Sequence, residues 1–422
     1  MGLVLVIGIC LALLGAAMLK MGLGSRLNSH MAYSTIDARE AADAGIAEAL
    51  YSMNAAFPAA NWDSAPGPVT LPNSNAIYDY TIENYGENYL ITSTGITDRD
   101  KRRVYAVTNL ENIFDYGVIV SETITLRQGT FVDGYDSSLG GYNDSLPDGK
   151  KNMGMRVNIG TNSIEENAIQ LNNNVVITGD VLVGVGGDPD LVIKELGTPG
   201  PSYNASYPMR TPYEFPDPNM PPILLTIPSL GDISDSNIVI GDPNIPTYVC
   251  YDNITVTKSA DPNNPGRLDI VGEVYLCVKG DINLTQGTEI RVNGVPMDPS
   301  TWSSAKIYLY GDLNGNNSNG VNNMTEKPVN FFLYGMGSDQ SWIVKNGTDF
   351  YGVYAGENAD IFISAKGSIF GSVSGRNFEL DVAEGGDPTN PYGMHYDKDL
   401  IERLGEDTGY KILSWWEEEV NE

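Results

Sequence analysis

One stretch near the start of the chain decides the fold: Leu3-Val-Leu-Val-Ile-Gly-Ile-Cys-Leu-Ala-Leu-Leu-Gly-Ala-Ala-Met-Leu19, which is apolar throughout and carries no charge. Its 17 residues are at the lower limit for a helix that spans a bilayer. The first basic residues, Lys20 and Arg26, follow this run, whereas a secretory signal peptide carries its positive charges in front of it. Basic residues in that place would also keep the following chain in the cytoplasm. We therefore expect a precursor with a short basic leader that is removed.

The helical pattern continues beyond the apolar run. Over residues 26–54, apolar residues recur near helical spacing and charged residues occupy the other faces. The sequence predicts one long helix over residues 1–55, apolar over 3–19 and amphipathic over 26–54, with a soft point at Gly22 and Gly24. Such a helix suits a subunit whose helices bundle into a filament core. The residues expected to pack in that core are Leu3, Leu5, Val6, Ile7, Ile9, Leu13 and Leu14.

The composition limits the classes of function. The formal net charge is −29, so there is no basic surface to neutralise the phosphates of nucleic acid. Gly (46 residues) and Pro (24 residues) are abundant, which is typical of a turn-rich β protein. An acidic surface suits solubility in an exposed compartment, although many secreted proteins are simply acidic.

The rest of the chain predicts an α+β protein with a large all-β part. Residues 56–114 form a linker and a small antiparallel sheet, with strands expected over 77–83, 89–94 and 103–110. Residues 115–396 contain many three- to five-residue apolar stretches separated by short polar turns, which favours the stacked rungs of a β-solenoid, or β-helix. Residues 397–422 are expected to form a short C-terminal helix and an acidic tail, in which Trp415 and Trp416 cap the open solenoid end or contact a neighbour.

The N-terminal segments Gly2-Leu-Val-Leu-Val-Ile-Gly-Ile9 and Ser34-Thr-Ile-Asp-Ala-Arg-Glu-Ala-Ala-Asp-Ala-Gly-Ile-Ala-Glu-Ala-Leu50 resemble type IV pilin-like proteins of the PilX type. Residues 350–363, 368–380 and 395–400 look like a domain attached to such helices. The resemblance implies leader removal by a prepilin peptidase, methylation of the amine of Met1, assembly by inner-membrane pilus machinery and growth of a helical fibre. It also implies a surface-exposed β-helical body without enzymatic activity.

The chain departs from this family at one position. Most major type IV pilins carry a glutamate at the fifth mature position, which pairs with the N-terminal amine of a neighbour, but this chain has Leu5 and its first carboxylate is Asp37. An unpaired buried amine is costly. The departure therefore favours a tip subunit or a fibre whose contacts rest on apolar packing.

Residues that could carry out catalysis are few. The two histidines, His30 and His395, have no nucleophile signature nearby, so structural roles are expected for both. Solenoids also host carbohydrate-active enzymes that use clustered carboxylates. The candidates here are Asp133, Asp136, Asp180 and Asp188, but aspartate in a Gly-rich turn more often has a local backbone role. We expect no enzyme and no cofactor.

Three kinds of structural site remain as candidates. Cys250 and Cys277 lie on two strand-like segments and are candidates for one disulfide across neighbouring rungs. A segment that begins like a calcium loop offers Asp312, Asn314 and Asn316, but it lacks the expected glycine and glutamate, so an Asn-rich turn is favoured and no metal is expected. Candidate glycosylation sequons occur at Asn253, Asn283 and Asn346.

Three functions fit these observations. The first is a structural subunit of an extracellular type IV pilus-like filament, a homo-oligomer on the cell surface that assembles from an inner-membrane-inserted precursor and displays the β-rich body outside. The second is a low-copy tip or adhesive pilin whose body binds a surface or glycan. The third is a membrane-anchored, secreted β-helical carbohydrate-active enzyme.

Overall fold

A computed structural model gives the fold of the chain, and two compact units appear in it. Unit 1 comprises residues 1–112 and 408–422, and unit 2 comprises residues 113–407. The structure describes residues 2–56, 67–85, 88–111, 116–215, 218–261, 266–295, 298–315, 318–346, 349–365, 367–382, 392–400 and 409–419.

Unit 1 is a long helix packed on an antiparallel sheet. The helix, α1, covers Gly2–Ala56. The described strands of the sheet, numbered in chain order, lie side by side in the order β1-β2-β3-β4-β29. They are β1 (Val69–Thr70), β2 (Ile77–Tyr85), β3 (Asn88–Ile96), β4 (Lys101–Glu111) and β29 (Gly409–Glu419). The predicted long helix and small antiparallel sheet are confirmed.

The expected C-terminal helix is wrong over Gly409–Glu419, because these residues form the edge strand β29, antiparallel to β4. Trp415 and Trp416 are neighbours in the chain, so a strand directs them to opposite faces of the sheet. The Arg39 guanidinium lies 5.5 Å from the ring centre of Trp415, and Trp416 stacks on Tyr105 at 5.1 Å. Both tryptophans therefore contact side chains of unit 1. Residues 401–408, also assigned to that helix, lie outside the described part of the chain.

Unit 2 is the sheet-rich body that the sequence predicts, and its paired strands are parallel. Two long rows of strands run along it, which we call row A and row B. In stacking order, row A contains β15 (Thr247–Tyr251), β18 (Glu273–Val278), β21 (Ser304–Leu309), β24 (Phe331–Gly335), β26 (Phe350–Ala365), β27 (Ile369–Val382), β5 (Tyr116–Leu126), β7 (Asn158–Thr161), β10 (Val181–Val183) and β12 (Ser206–Pro208). Row B contains β13 (Ile233–Asp235), β16 (Ile254–Val256), β19 (Ile282–Leu284), β22 (Leu313–Gly315), β25 (Gln340–Asn346), the second halves of β26, β27 and β5, then β8 (Ile169–Leu171) and β11 (Ile193–Glu195).

Shorter rows and turns complete the rungs. One row contains β14 (Asn237–Ile240), β17 (Arg267–Ile270), β20 (Glu289–Val292) and β23 (Gly320–Asn323). Another starts at the first residues of β27 and continues through β28 (Gly393–Asp397), β6 (Phe131–Tyr135) and β9 (Val176–Ile177). The short helices are α2 (Pro189–Val192) and α3 (Pro222–Thr226), with 3₁₀ turns at Pro299–Thr301 and Pro328–Asn330.

The core of unit 2 is a set of ladders of equivalent side chains. In row B, one buried apolar residue from each rung stacks on its register partner in the next rung. The members of this ladder are Ile254, Ile282, Leu313, Trp342, Ile361, Phe378, Ile124, Ile169 and Ile193. Each rung buries its apolar face only against its neighbours, as expected of a solenoid.

The order of the rungs in space differs from their order in the chain. Val373 in β27 pairs with Val118 in β5, so the last rungs of the unit stack on its first rung. From β5 the rungs run away from β27 and β28 to β12 at one end of the stack, whereas β13 and β15 lie at the opposite end, and from there the rungs advance in the same direction until β27 and β28 meet β5 and β6. We call the junction of β27 and β28 with β5 and β6 the seam.

The seam explains how unit 2 is inserted into unit 1. In unit 1, Glu111 at the end of β4 pairs with Gly409 at the start of β29. An inserted domain fits between two neighbouring strands when its own ends lie close together. The seam brings the two ends of unit 2 close together, because the first and last rungs of unit 2 are neighbours.

Candidate functional site

The C-terminal half of α1 is packed on the sheet of unit 1. Its buried face is built mostly from small residues, and Ile46 and Met53 fill the remaining space against β2, β3 and β4. The close approach depends on a glycine, because a Cβ at Gly95 would overlap the carbonyl oxygen of Ala38. The buried residues of this face are Ala38, Ala41, Ala42, Ile46, Ala49 and Met53.

The N-terminal half of α1 has large apolar side chains that are exposed. Leu23 is 61% exposed and Leu27 is 55% exposed, and the same holds for the others on this half. They are Leu14, Met18, Leu19, Met21, Met31, Tyr33 and Ile36. We call residues 14–36 the exposed segment of α1.

Most of the residues predicted to pack in a filament core lie N-terminal to this segment. The side chains of Leu3, Leu5, Val6, Ile7, Ile9 and Leu13, and the whole of Met1, lie outside the described part of the structure. Leu14 is described, and it is exposed. Within the described residues, no helix reaches the length and apolarity that a membrane span requires.

A cleft of about 460 Å³ lies in unit 1 where α1 leaves the sheet. The helix supplies His30, Tyr33, Ser34 and Asp37 to its wall. The loops before β2 and β4 supply Asn75, Ala76, Thr97, Asp98 and Arg99. The hydroxyls of Ser34 and Thr97, 2.6 Å apart, and the hydrogen bond from Thr35 to Asp100 hold the two walls together. Sequence reasoning did not find this cleft, because its residues come from three separate segments.

The seam of unit 2 contains a buried chain of polar groups that includes one of the two histidines. His395 in β28 lies beside Asp133 in β6, with 2.5 Å between its Nδ1 and the Oδ1 of Asp133. The Nε2 of His395 lies 3.0 Å from the Oγ of Ser368. The order aspartate, histidine, serine is that of a hydrolase triad. Asp133 and His395 are fully buried and Ser368 is nearly so.

The loop that follows β6 covers this chain of groups. The ring of Tyr142 lies 4.0 Å from the imidazole of His395, and the ring of Phe370 lies 4.9 Å from the imidazole and 5.5 Å from Tyr142. The hydroxyl of Tyr142 donates to Oδ2 of Asp133 over 3.0 Å. Burial is the main cause that raises the pKa of Tyr142, and the negative charge of Asp133 adds to it. The backbone N–H of Gly154 donates to the same oxygen over 2.6 Å. Both oxygens of Asp133 are therefore engaged by groups from the seam.

A second buried carboxylate lies at the end of β28. Oδ1 of Asp397 accepts the backbone N–H groups of Ser137, at 2.9 Å, and Asp399, at 3.1 Å. Burial raises the pKa of Asp397 to about 6, against the lowering effect of these hydrogen bonds. Lys327 donates to the carbonyl oxygen of Ser137. Asp397 thus ties the loop after β6 to the last rung.

The other carboxylates proposed for catalysis have local roles elsewhere. Asp180 accepts hydrogen bonds from Asn204, Tyr207 and Arg156, which hold its pKa below the usual range although burial opposes them. Asp136 accepts the N–H of Ser138, and Asp188 caps α2 by accepting the N–H of Asp190. Among the described residues, no group of three or more His, Cys, Asp or Glu side chains is arranged to hold a metal ion.

The cysteine pair is brought together as the sequence suggests, but as free thiols. Cys250 in β15 and Cys277 in β18 are direct register partners on neighbouring rungs, and both are buried free cysteines. Burial is the main cause that raises the pKa of Cys277 to about 12, and the neighbouring thiol of Cys250 adds to it. The proposed disulfide is not formed in this structure.

The calcium and glycosylation candidates take part in polar ladders between rungs. Oδ1 of Asp312 accepts the N–H of Ser341 at 2.8 Å, and Asn314 donates to Oδ1 of Asn283 at 3.0 Å. Asn253 donates to Asp232 and accepts the N–H of Asp281. Asn316 and the side chain of Asn346 lie outside the described part of the structure.

Comparisons with known proteins assign no family to the chain. A family model described as a domain of unknown function, DUF7305, matches residues 247–403, which is less than half of the chain and lies within unit 2. No curated protein matches the chain. Among solved structures, the chain is similar to the competence-associated pilin ComZ from Thermus thermophilus, at 12% identity over 92% of this chain and 98% of that chain, with a TM-score of 0.27. A similarity of this size carries no argument about the function of the chain.

Proposed function

We propose that the chain is a structural subunit of an extracellular type IV pilus-like filament, which polymerises through bundled N-terminal helices and carries the β-rich unit on its outside. The observation that carries this proposal is the exposed segment of α1. The C-terminal half of this continuous helix is packed on the sheet of unit 1, whereas the described large apolar side chains of the N-terminal half are exposed.

The size of the apolar surface supports an assembly. Burying one large apolar side chain stabilises a structure by about 1.5–3 kcal/mol. The exposed segment carries more than five such side chains, so their burial between copies would outweigh the free energy lost on association. Under this proposal the helix lies in the inner membrane in the precursor and among other copies of itself in the fibre. The assembly machinery, removal of a leader and methylation of Met1 belong to the same proposal.

The experiment that tests the proposal substitutes apolar residues of equal exposure in the two units. The first variant is Leu23→Asn with Leu27→Asn in the exposed segment, at 61% and 55% exposure. The matched control is Leu191→Asn with Ile164→Asn in unit 2, at 60% and 56% exposure. We expect the first variant to lose filaments in sheared cell-surface preparations and the control to keep them. Filaments in normal amounts from the first variant would overturn the proposal.

One observation favours a second candidate function, a hydrolase, because Asp133, His395 and Ser368 lie in triad order. A triad acts on a substrate that reaches the serine, and here Tyr142 and the neighbouring rungs bury all three groups. We therefore propose that the chain is not an enzyme and that these groups hold the seam together. Labelling by a serine-directed organophosphorus probe, lost on Ser368→Ala, would contradict this.

A further inference from the structure

We infer that the cleft of unit 1 beside Asp37 receives the basic side chains that follow the apolar run in a second copy of this chain. Lys20 and Arg26 of one helix would lie beside Asp37 and the following carboxylates of a parallel, staggered neighbour. The inference rests on the proposed filament, and it names the contact that sets the stagger between copies.

The first step is the distribution of charge along α1. The cationic residues of its N-terminal half are Lys20 and Arg26, whereas the C-terminal half carries Asp37, Glu40, Asp43 and Glu48 with Arg39 as the single cation. Lys20 and Arg26 are exposed, and neither forms an ion pair within the described part of the chain. The side chains that attract cations are therefore on the opposite half of the same helix.

The second step is that one copy cannot bring these charges together. A helix rises 1.5 Å per residue, so Lys20 and Asp37 are about 26 Å apart along the same axis, and Arg26 and Asp37 about 17 Å apart. Both separations exceed the reach of the side chains. Contact between these groups requires a second helix.

The third step is the stagger at which the charges match. When two parallel helices are shifted by 17 residues, about 26 Å, Lys20 is level with Asp37 and Arg26 is level with Asp43. At this shift no two charges of the same sign on α1 are level with each other. Without a shift, every charged residue faces an identical charge. Exposed ion pairs add little affinity but penalise wrong registers, so they suit the choice of stagger.

The fourth step is the cleft itself. Asp37 lies in its wall and, among the described residues, accepts one long hydrogen bond, 3.4 Å from the hydroxyl of Ser74, so most of its acceptor capacity remains there. Asp98 is exposed on the opposite wall, and Arg99 and His30 also line the cleft. A volume of about 460 Å³ has room for a lysine or arginine side chain in the cleft. A second copy of this chain supplies such a side chain on the surface that the filament proposal already buries.

A charge swap in the full-length chain tests the inference. We expect Lys20→Glu alone and Asp37→Lys alone each to reduce the yield of pelleted filaments at least tenfold, and the double variant to recover most of the wild-type yield. The control is Glu165→Lys, an exposed acid of unit 2, which should leave the yield unchanged. Single variants that assemble as well as wild type, or a double variant no better than the singles, would overturn the inference. A double variant no better than the singles is expected if Lys20 binds a lipid headgroup instead of Asp37.

Cross-linking gives an independent readout that does not depend on yield. Chains with Lys20→Cys and chains with Asp37→Cys, both in a Cys10→Ser background, are expressed together and the filaments are oxidised. We expect a disulfide-linked heterodimer, and no cross-link when Glu165→Cys replaces Asp37→Cys. Wild-type filaments that depend on Leu23 and Leu27 but give no heterodimer would end this inference and leave the proposed function standing. Absence of wild-type filaments would instead end the proposed function.

Discussion

The two units of the chain bury their apolar surfaces in different ways. Each described rung of unit 2 stacks its apolar side chains on the next rung, and the seam joins the last rung to the first. Unit 1 covers only the C-terminal half of its helix and leaves the described large apolar side chains of residues 14–36 exposed. Unit 2 therefore buries these apolar side chains within one copy, whereas unit 1 leaves apolar side chains exposed that the proposed filament would bury. Under the proposed function, changes in the exposed segment of unit 1 should affect assembly, and changes in the core of either unit should affect folding.

The largest expected effect on folding is at the seam. His395→Ala removes the partner of a buried carboxylate, Asp133, and leaves a space beside the rings of Tyr142 and Phe370. Breaking a buried pair costs about 3–5 kcal/mol. We expect this loss in the free energy of opening of unit 2, measured by hydrogen exchange of the amides of β28 and β6. His30→Ala, at the exposed second histidine, is the control and should change nothing there.

The two halves of α1 should respond differently to the same substitution. Ile46 is 4% exposed against the sheet, and Ile36 is 50% exposed. We expect Ile46→Ala to lower the free energy of unfolding of unit 1 by about 2–5 kcal/mol and Ile36→Ala to change it by less than about 0.5 kcal/mol. Urea denaturation of the monomer in detergent measures both. Equal losses would mean that the exposed segment is packed within one copy.

The stability of unit 2 should depend on pH through Asp397. Its pKa is raised from 3.8 to about 6, so the folded unit binds this proton more tightly than the unfolded chain does. This contribution favours folding below about pH 4 and is lost as the pH rises to about 6, with a total change of up to about 3 kcal/mol. Asp180 and Asp360 have lowered pKa values and act in the opposite direction, mainly below pH 4. The midpoint temperatures of thermal unfolding at pH 4.5 and pH 7 should differ less for Asp397→Asn than for the wild type. An unchanged difference between these two temperatures would contradict the assignment to Asp397.

The smallest expected effect on filament formation is that of deleting unit 2. Because Glu111 and Gly409 are register partners, residues 112–408 can be replaced by Asn-Gly, which closes a two-residue hairpin between β4 and β29. We expect the shortened chain to fold and to form thinner filaments in normal amounts, seen by electron microscopy. Loss of filaments with a folded unit 1 would show that unit 2 takes part in assembly.

Parts of this fold could be predicted because their signals are local. The uncharged run 3–19 and the amphipathic pattern after it predict α1, and short apolar stretches between Gly, Asn and Asp predict rungs. The sequence of β29 also predicts a helix, because Ile412, Trp415 and Trp416 fit a helical face as well as an alternating strand. What decides between them is β4, which supplies the hydrogen-bonding partner nearly 300 residues earlier in the chain.

The seam could not be predicted for a related reason. The sequence marks Asp133 and His395 as separate candidates, but they are 262 positions apart and the rungs have unequal lengths, so no repeat indicates that β28 stacks on β6. The importance of Ser368 and Tyr142 depends on that stacking. The exposed segment of α1 was predictable as a helix, whereas its lack of cover within one copy appears only in the structure.

The most direct test of the central claim is thiol labelling of two leucines of equal exposure, before and after assembly. Leu23→Cys and Leu191→Cys, each in a Cys10→Ser background, replace side chains that are 61% and 60% exposed. A maleimide reagent should label both in the monomer. In filaments we predict that position 23 is protected at least tenfold while position 191 stays reactive. Equal labelling of position 23 in monomer and filament would contradict the claim that this helix forms the filament core.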